Sequence, residues 1–130
     1  MIKIVEAVSA VFCFQGQIFS VIRQNHLDVF PGYNAFPGGK IDDQDLPSRI
    51  ASSFPKLNSV HLSALCREMK EELSFDLEKA FAEDKIISIE PLAEIFAPSF
   101  AQIRFRNWFY RIDLKDPAEF ILDEGEFSAG

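Results

Sequence analysis

The stretch REMKEELSF, residues 67–75, places five charged side chains in its first six positions. Three of these charges are negative and closely spaced, so on a helix they repel one another across neighbouring turns. A bound divalent cation would offset that repulsion, because carboxylate oxygens are ligands that Mg²⁺ and Mn²⁺ prefer. The stretch therefore indicates candidate metal ligands at Glu68, Glu71 and Glu72.

The sequence around this stretch predicts a helix with Asn58 or Ser59 as its N-cap. At about 100° per residue, the three glutamates fall within about 100° of arc, opposite the apolar face. Charged outer faces are also common on ordinary surface helices, where Arg67 and Lys70 would be intrahelical partners. Both interpretations therefore stay open for the glutamates alone. The apolar residues at helical spacing are Leu62, Leu65, Cys66, Met69 and Leu73.

A second motif, AFPGGKI at residues 35–41, precedes the helix. Glycine lets the backbone turn sharply and approach a ligand or a metal closely. An ordinary turn is the alternative explanation for Gly38 and Gly39. Together with the acidic helix, the motif favours a loop that contributes to a metal-binding or ligand-binding site.

The rest of the sequence predicts strands on both sides of the helix, with an N-terminal hairpin that turns at Gly16. Strands that flank a helix in this order indicate an α/β or α+β sandwich. The predicted strands are residues 4–14, 17–23, 85–97 and 103–114, and a short helical turn is predicted at 77–82.

Length and composition favour one domain over residues 1–130, because the chain is 48% hydrophobic and can form a core. Residues 42–59 are polar and contain Pro47 and Pro55. We therefore expect an irregular, mobile loop here, with one helical turn, inserted in the single domain.

The net charge of −7 argues against a nucleic-acid polymer as partner, because such binding needs a basic face. An acidic protein still binds an anionic small molecule where metal ions bridge the two. The apolar N-terminal segment is too short to span a bilayer, and Cys13 and Cys66 fit free thiols in a reducing compartment. We therefore expect a cytoplasmic protein with a small-molecule partner and no membrane contact.

Together, the glycine segment and the acidic helix resemble the Nudix box, a glycine followed downstream by Arg-Glu-U-x-Glu-Glu-x-Gly-U, where U is apolar. Arg67 to Phe75 match the second half, and Gly39 matches the opening glycine. The order of predicted elements is the one that a Nudix α/β/α sandwich with a mixed sheet requires. Three features depart from the box. The spacing between Gly39 and Arg67 is longer, and Ser74 replaces the closing glycine. Asp45 stands for the first glutamate, or else the insertion displaces that residue. Loop insertions of this kind cost little stability.

This resemblance implies a hydrolase that cleaves the pyrophosphate of a nucleoside diphosphate linked to another moiety, by attack of water on phosphorus. Mg²⁺ or Mn²⁺ would neutralise the polyanion. In the family pattern, Arg67 pairs with a glutamate of the box and orients it. The implied metal ligands are the Gly39 carbonyl, Glu68, Glu71 and Glu72. The general base stays open among four carboxylates: Glu68, Glu72, Glu124 and Glu126.

The segment around Arg23 is similar in spacing to the coenzyme A pyrophosphatases of the family, although Gln24 and Asp28 differ from their signature. Coenzyme A and nucleotide sugars are the candidate substrates. The candidate substrate-binding residues are Arg23, Gly38, Gly39 and Arg104.

Two other functions stay open. A Nudix-like domain could bind a nucleotide or a protein without hydrolysing it, although the intact glutamates favour hydrolysis. The other open function is calcium binding by the motif DDQD, residues 42–45. This motif lacks the spacing and the terminal glutamate of an EF-hand.

The chain ends at LDEGEFSAG, residues 122–130, where a Nudix domain normally continues with a strand and a helix. The acidic helix would cover only one face of the sheet, and sheets rich in Val and Phe rarely face water. We therefore expect either further elements beyond Gly130 or a homodimer that covers the other face.

Overall fold

The computed structural model describes residues 3–24, 34–42, 48–98, 103–123, 125 and 127–129. None of the helices in these residues is long and apolar enough to cross a membrane. The strands are β1 (Lys3–Phe14), β2 (Gln17–Ile18), β3 (Val21–Arg23), β4 (Asn34–Ala35), β5 (Gly38–Lys40), β6 (Ile86–Pro98), β7 (Ile103–Leu114) and β8 (Phe127–Ala129). The helices are a 3₁₀ turn (Ala51–Ser53), α1 (Ser59–Leu73) and α2 (Leu77–Ala82).

The larger sheet is mixed. Its strand order is β2–β1–β7–β6, and β5 also pairs with β1. β1 and β7 run parallel, with Val8 opposite Trp108, whereas β6 and β7 are antiparallel. A parallel pair is normally covered by helices, and α1 packs against β1 and β5. The predicted α/β class with a mixed sheet is confirmed.

The N-terminal hairpin turns through two residues with positive φ, Gln15 at 48° and Gly16 at 80°. A two-residue turn of this kind matches the twist of its strands. The prediction of one continuous strand over 17–23 is wrong, because β2 stays on β1 while β3 pairs with β4 and β8 in a second sheet. Between them, the ring of Phe19 packs against Phe120, with centroids 4.4 Å apart.

Helix α1 begins at its predicted cap. Asn58 Oδ1 accepts hydrogen bonds from the N–H groups of Val60 and His61, at 2.9 and 3.2 Å. The helix ends at Ser74, whose φ of 52° and ψ of 34° are left-handed, a conformation that usually requires glycine. The predicted apolar face is confirmed, since its main residues are fully buried: Leu62, Leu65, Met69 and Leu73.

The second half of the predicted loop, residues 48–59, packs against the core. Ile50 is buried, and the ring centroids of Phe54 and Phe81 lie 5.0 Å apart. The predicted helical turn is present as the 3₁₀ turn. Residues 43–47, which include most of the DDQD motif, lie outside the described residues. The mobility of the segment stays a prediction.

Strand β6 is the last strand on one side of the described sheet. Apolar side chains on such an edge are typical of surfaces that pair with another chain. The homodimer and the elements expected beyond Gly130 both stay predictions. The exposed apolar residues of β6 are Ile87, Leu92, Ile95 and Phe96.

Candidate active site

Strand β5 brings two glycines close to both β1 and α1. Gly38 lies opposite Ser9, and Gly39 lies opposite Val8. A Cβ atom on Gly38 would collide with the backbone of β1, and a Cβ atom on Gly39 would collide with the Glu68 carboxylate. The two glycines therefore permit close approach within a strand, and the alternative of an ordinary turn is wrong.

Two of the three candidate glutamates are buried between α1 and β5. Glu68 is 8% exposed and Glu72 is 3% exposed. The N–H of Gly38 donates to Glu72 Oε2 at 3.1 Å, and the Glu68 carboxylate packs against Gly39. The alternative of a solvated outer face is wrong for Glu68 and Glu72, because β5 covers their side of α1.

Arg67 links this helix to β5. Its Nη1 atom lies 2.5 Å from Glu68 Oε1 and 3.6 Å from Glu71 Oε2, and its Nη2 atom donates to the Lys40 carbonyl at 2.8 Å. Because a guanidinium is planar and its donors have fixed directions, these contacts restrict the orientation of the Glu68 carboxylate. A pairing between Arg67 and a glutamate is what the resemblance implies, and its role in catalysis stays a prediction.

The side chains of the site offer oxygen donors, which suit a hard divalent cation. Glu68 and Glu72 present carboxylates to adjacent residues of β5, and the Gly39 carbonyl as a further ligand stays a prediction. Oxygen donors of this kind suit Mg²⁺ or Mn²⁺. The Glu71 side chain is 60% exposed, and the described part of the chain holds no group of three His, Cys, Asp or Glu side chains close enough to bind one ion. The residue types fit the predicted cation, whereas the three-carboxylate cluster is not assembled among the described residues.

None of the other candidate residues has a described side chain at this site. Arg23 lies on β3 and Arg104 on β7, in different sheets, and only their backbones are described. Glu124 and Glu126 lie outside the described residues. Their roles in substrate binding and catalysis stay predictions.

Two further titratable side chains of α1 belong to the core. Burial raises the pKa of Cys66 to about 11, so its thiol is protonated at neutral pH and is a poor nucleophile. His61 Nδ1 lies 2.5 Å from the hydroxyl of Tyr110, and burial lowers the pKa of His61. The pair His61–Tyr110 joins α1 to β7, which is a structural contact.

Residues 120–123 contact the end of α1, and the sequence alone did not predict this contact. The N–H of Ile121 donates to the Leu73 carbonyl, and the N–H of Asp123 donates to the Glu72 carbonyl, both at 2.8 Å. No hydrophobic period marks this segment, because its hydrogen bonds go to a helix end and not to a neighbouring strand. The segment brings the chain directly to the turn of α1 that carries Glu72.

No family model matches this sequence, and no curated protein matches it. Solved structures do match. The chain is similar to a NUDIX hydrolase from Alicyclobacillus acidocaldarius, with a TM-score of 0.73 and 16% identity, over 99% of this chain and 78% of that chain. It is similar to the E. coli dihydroneopterin triphosphate pyrophosphohydrolase, with a TM-score of 0.59 and 14% identity, over 95% and 76% of the two chains.

A third similar structure is the NUDIX domain of Shewanella oneidensis NrtR in complex with ADP ribose. Its TM-score is 0.60 and its identity 19%, over 96% of this chain and 69% of that chain. These likenesses show that the chain has the fold of the Nudix hydrolases, as the resemblance of its glycine segment and acidic helix implied.

Proposed function

We propose that this protein is a Nudix-type pyrophosphohydrolase that cleaves the pyrophosphate of a nucleoside diphosphate linked to another moiety, with Mg²⁺ or Mn²⁺ as cofactor. The observation that carries the proposal is the arrangement of Arg67, Glu68 and Glu72 against Gly38 and Gly39 within a Nudix fold. A buried carboxylate is costly unless it is paired or hydrogen-bonded. Two buried glutamates on one helix, held against a glycine strand, therefore indicate a functional site.

Each residue of the site has a proposed role. Gly39 through its carbonyl, with Glu68, Glu71 and Glu72, would hold the cation. When bound, the cation neutralises charge on the pyrophosphate oxygens, which otherwise repel an approaching water. Arg67 holds Glu68 in one orientation. The residue that takes the proton of the attacking water stays open among Glu68, Glu72, Glu124 and Glu126.

The substrate is proposed to be a small nucleotide derivative. ADP ribose is the ligand of one similar structure, the NrtR NUDIX domain, so it joins coenzyme A and nucleotide sugars as a candidate. Arg23 and Arg104 are the proposed contacts to the substrate phosphates, together with the backbone of Gly38 and Gly39. The free thiols of Cys13 and Cys66 support the proposal of a cytoplasmic protein.

A second candidate function is a domain that binds a nucleotide without hydrolysing it. One observation favours it: the described residues assemble no group of three metal-binding side chains. Such a domain would bind the same ligands as the proposed enzyme but would release no product.

Turnover of ADP ribose, coenzyme A and nucleotide sugars with Mg²⁺ tests the proposal. We expect hydrolysis of at least one of them, no activity after removal of the cation with EDTA, and recovery when Mg²⁺ is added back. Glu72→Gln should lower kcat by about 100-fold, because it removes the charge and keeps the shape. Glu90→Gln, at an exposed position of β6, is the matched control and should keep full activity.

Calorimetric binding separates the two functions. A substrate that binds with no turnover in any cation would support the binding domain and contradict the enzyme. Full turnover by Glu72→Gln would contradict the assignment of the site.

A further inference from the structure

Residues 120–123, here called the strap, run across the C-terminal end of α1. Ile121 and Asp123 donate their backbone N–H groups to the carbonyls of Leu73 and Glu72, each at 2.8 Å. The strap therefore contacts the helix at the residue whose carboxylate accepts the Gly38 N–H.

These hydrogen bonds meet a specific need of the helix end. The last four carbonyls of an α-helix have no partner within the helix, and the final turn frays when they stay unpaired. The strap provides donors for two of those four, at Glu72 and Leu73. Fraying of this turn would move Glu72 away from β5, so the strap limits where the Glu72 carboxylate can lie.

Phe120 provides the aromatic contacts that hold the strap, and Leu122 also packs against the core. The ring of Phe120 lies 4.9 Å from Phe12, 4.4 Å from Phe19 and 5.4 Å from Phe75, measured between centroids. The next side chain, Ile121, is 68% exposed and provides no such anchor. Aromatic packing at these distances stabilises the segment beyond the effect of buried area alone.

We propose that Phe120 is a positioning residue for the candidate active site. Its ring anchors the strap, the strap pairs the last carbonyls of α1, and the paired turn keeps the Glu72 carboxylate at the Gly38 N–H. The ring of Phe120 packs on other rings of the core, and its proposed effect on the site passes through Glu72. This inference rests on the proposed function for its effect on turnover, but its effect on the position of Glu72 is independent of that function.

The test compares Phe120→Leu with Phe54→Leu. Phe54 is the matched control, because it is also partly buried against the core and its ring packs on another ring, Phe81, with centroids 5.0 Å apart, yet it lies outside the strap. Both variants should lose a similar amount of thermal stability. Only Phe120→Leu should lower kcat, by about tenfold with KM changed less than twofold, and weaken Mn²⁺ binding by about tenfold, as expected for loss of a group that supports a metal ligand.

Amide hydrogen exchange gives a readout that needs no substrate. In Phe120→Leu, the amides of Ile121, Asp123 and Gly38 should exchange at least about tenfold faster than in the wild type, whereas Phe54→Leu should leave the three amides protected. Phe120→Met provides the same comparison if Phe120→Leu does not fold.

The inference is overturned if the strap and control variants change the Gly38 amide and Mn²⁺ affinity equally, or if neither variant changes them. A wild-type protein with no turnover would overturn the proposed function alone, because exchange at Gly38 and Mn²⁺ binding would still test the role of Phe120.

Discussion

At Gly39, the hydrogen atom that stands in place of a side chain leaves room for the Glu68 carboxylate against β5. Arg67 holds the other side of that carboxylate. The glutamate is therefore enclosed by a backbone and a guanidinium, and its orientation depends on both.

Gly39→Ala should displace Glu68. The added methyl group overlaps the carboxylate, and overpacking at a buried site costs about 2 kcal/mol. We expect a lower urea midpoint and, under the proposed function, a loss of turnover. Gly125→Ala is the control, because a Cβ atom there would lie 3.5 Å from Asp123 Oδ1, an ordinary contact. Equal urea midpoints for the two variants would contradict the predicted overlap.

Gly39, Arg67, Glu68 and Glu72 lie together, as the sequence pattern suggested, and their roles stay predictions. The pattern left a solvated outer face open for Glu68 and Glu72, because periodicity describes one helix alone. Burial of those side chains results from β5, whose position depends on long-range pairing with β1. No local pattern reports that pairing.

At the scale of the element, α1 stops where the residue after it, Ser74, adopts a left-handed backbone. Ser74 has a φ of 52° and its N–H bonds to the Met69 carbonyl. A side chain in this region is strained, because its Cβ approaches the following carbonyl. The helix thus ends by the usual geometry with an unusual residue.

Ser74→Gly should raise the free energy of unfolding by about 1 kcal/mol, because glycine adopts this conformation without the Cβ strain. Ser74→Ala keeps the strain and should give no increase. Urea unfolding of the wild type and both variants measures the difference. A destabilised Ser74→Gly would show that the serine makes a favourable contact larger than the strain.

The elements themselves were largely predictable. The cap at Asn58, the apolar face of α1 and the two long strands follow from local chemistry and periodicity, and the structure confirms them. Local chemistry did not predict the division of residues 17–23 into β2 and β3, because both parts are equally suited to a strand. Their separation reflects different partners in space.

At the scale of the whole molecule, stability depends on pH through His61, which is buried beside Tyr110. Burial is the main cause that lowers the pKa of His61 below its ordinary value of 6.5, Arg106 lowers it further, and Glu6 opposes the shift. The unfolded chain therefore binds the proton more tightly than the folded chain does. The contribution of His61 to the free energy of unfolding is fully present above pH 6.5. It is lost as the pH falls from there through the folded-state pKa of His61.

His61→Gln removes this titration and keeps a polar partner for Tyr110. Urea midpoints measured from about pH 8 to about pH 5 should fall more steeply for the wild type than for the variant below pH 6.5. All other acidic and basic groups are common to both proteins, so their titration cancels in the comparison. Parallel curves would show that His61 titrates alike in the folded and unfolded chains.

The parallel pairing of β1 with β7 has a consequence for how the chain matures. Lys3 lies opposite Ile103, which is 100 positions later in the sequence. During synthesis, the apolar side chains of β1 leave the ribosome long before their partner strand exists, and pairings between distant segments form slowly. The nascent chain must therefore keep β1 from aggregating until β7 has emerged.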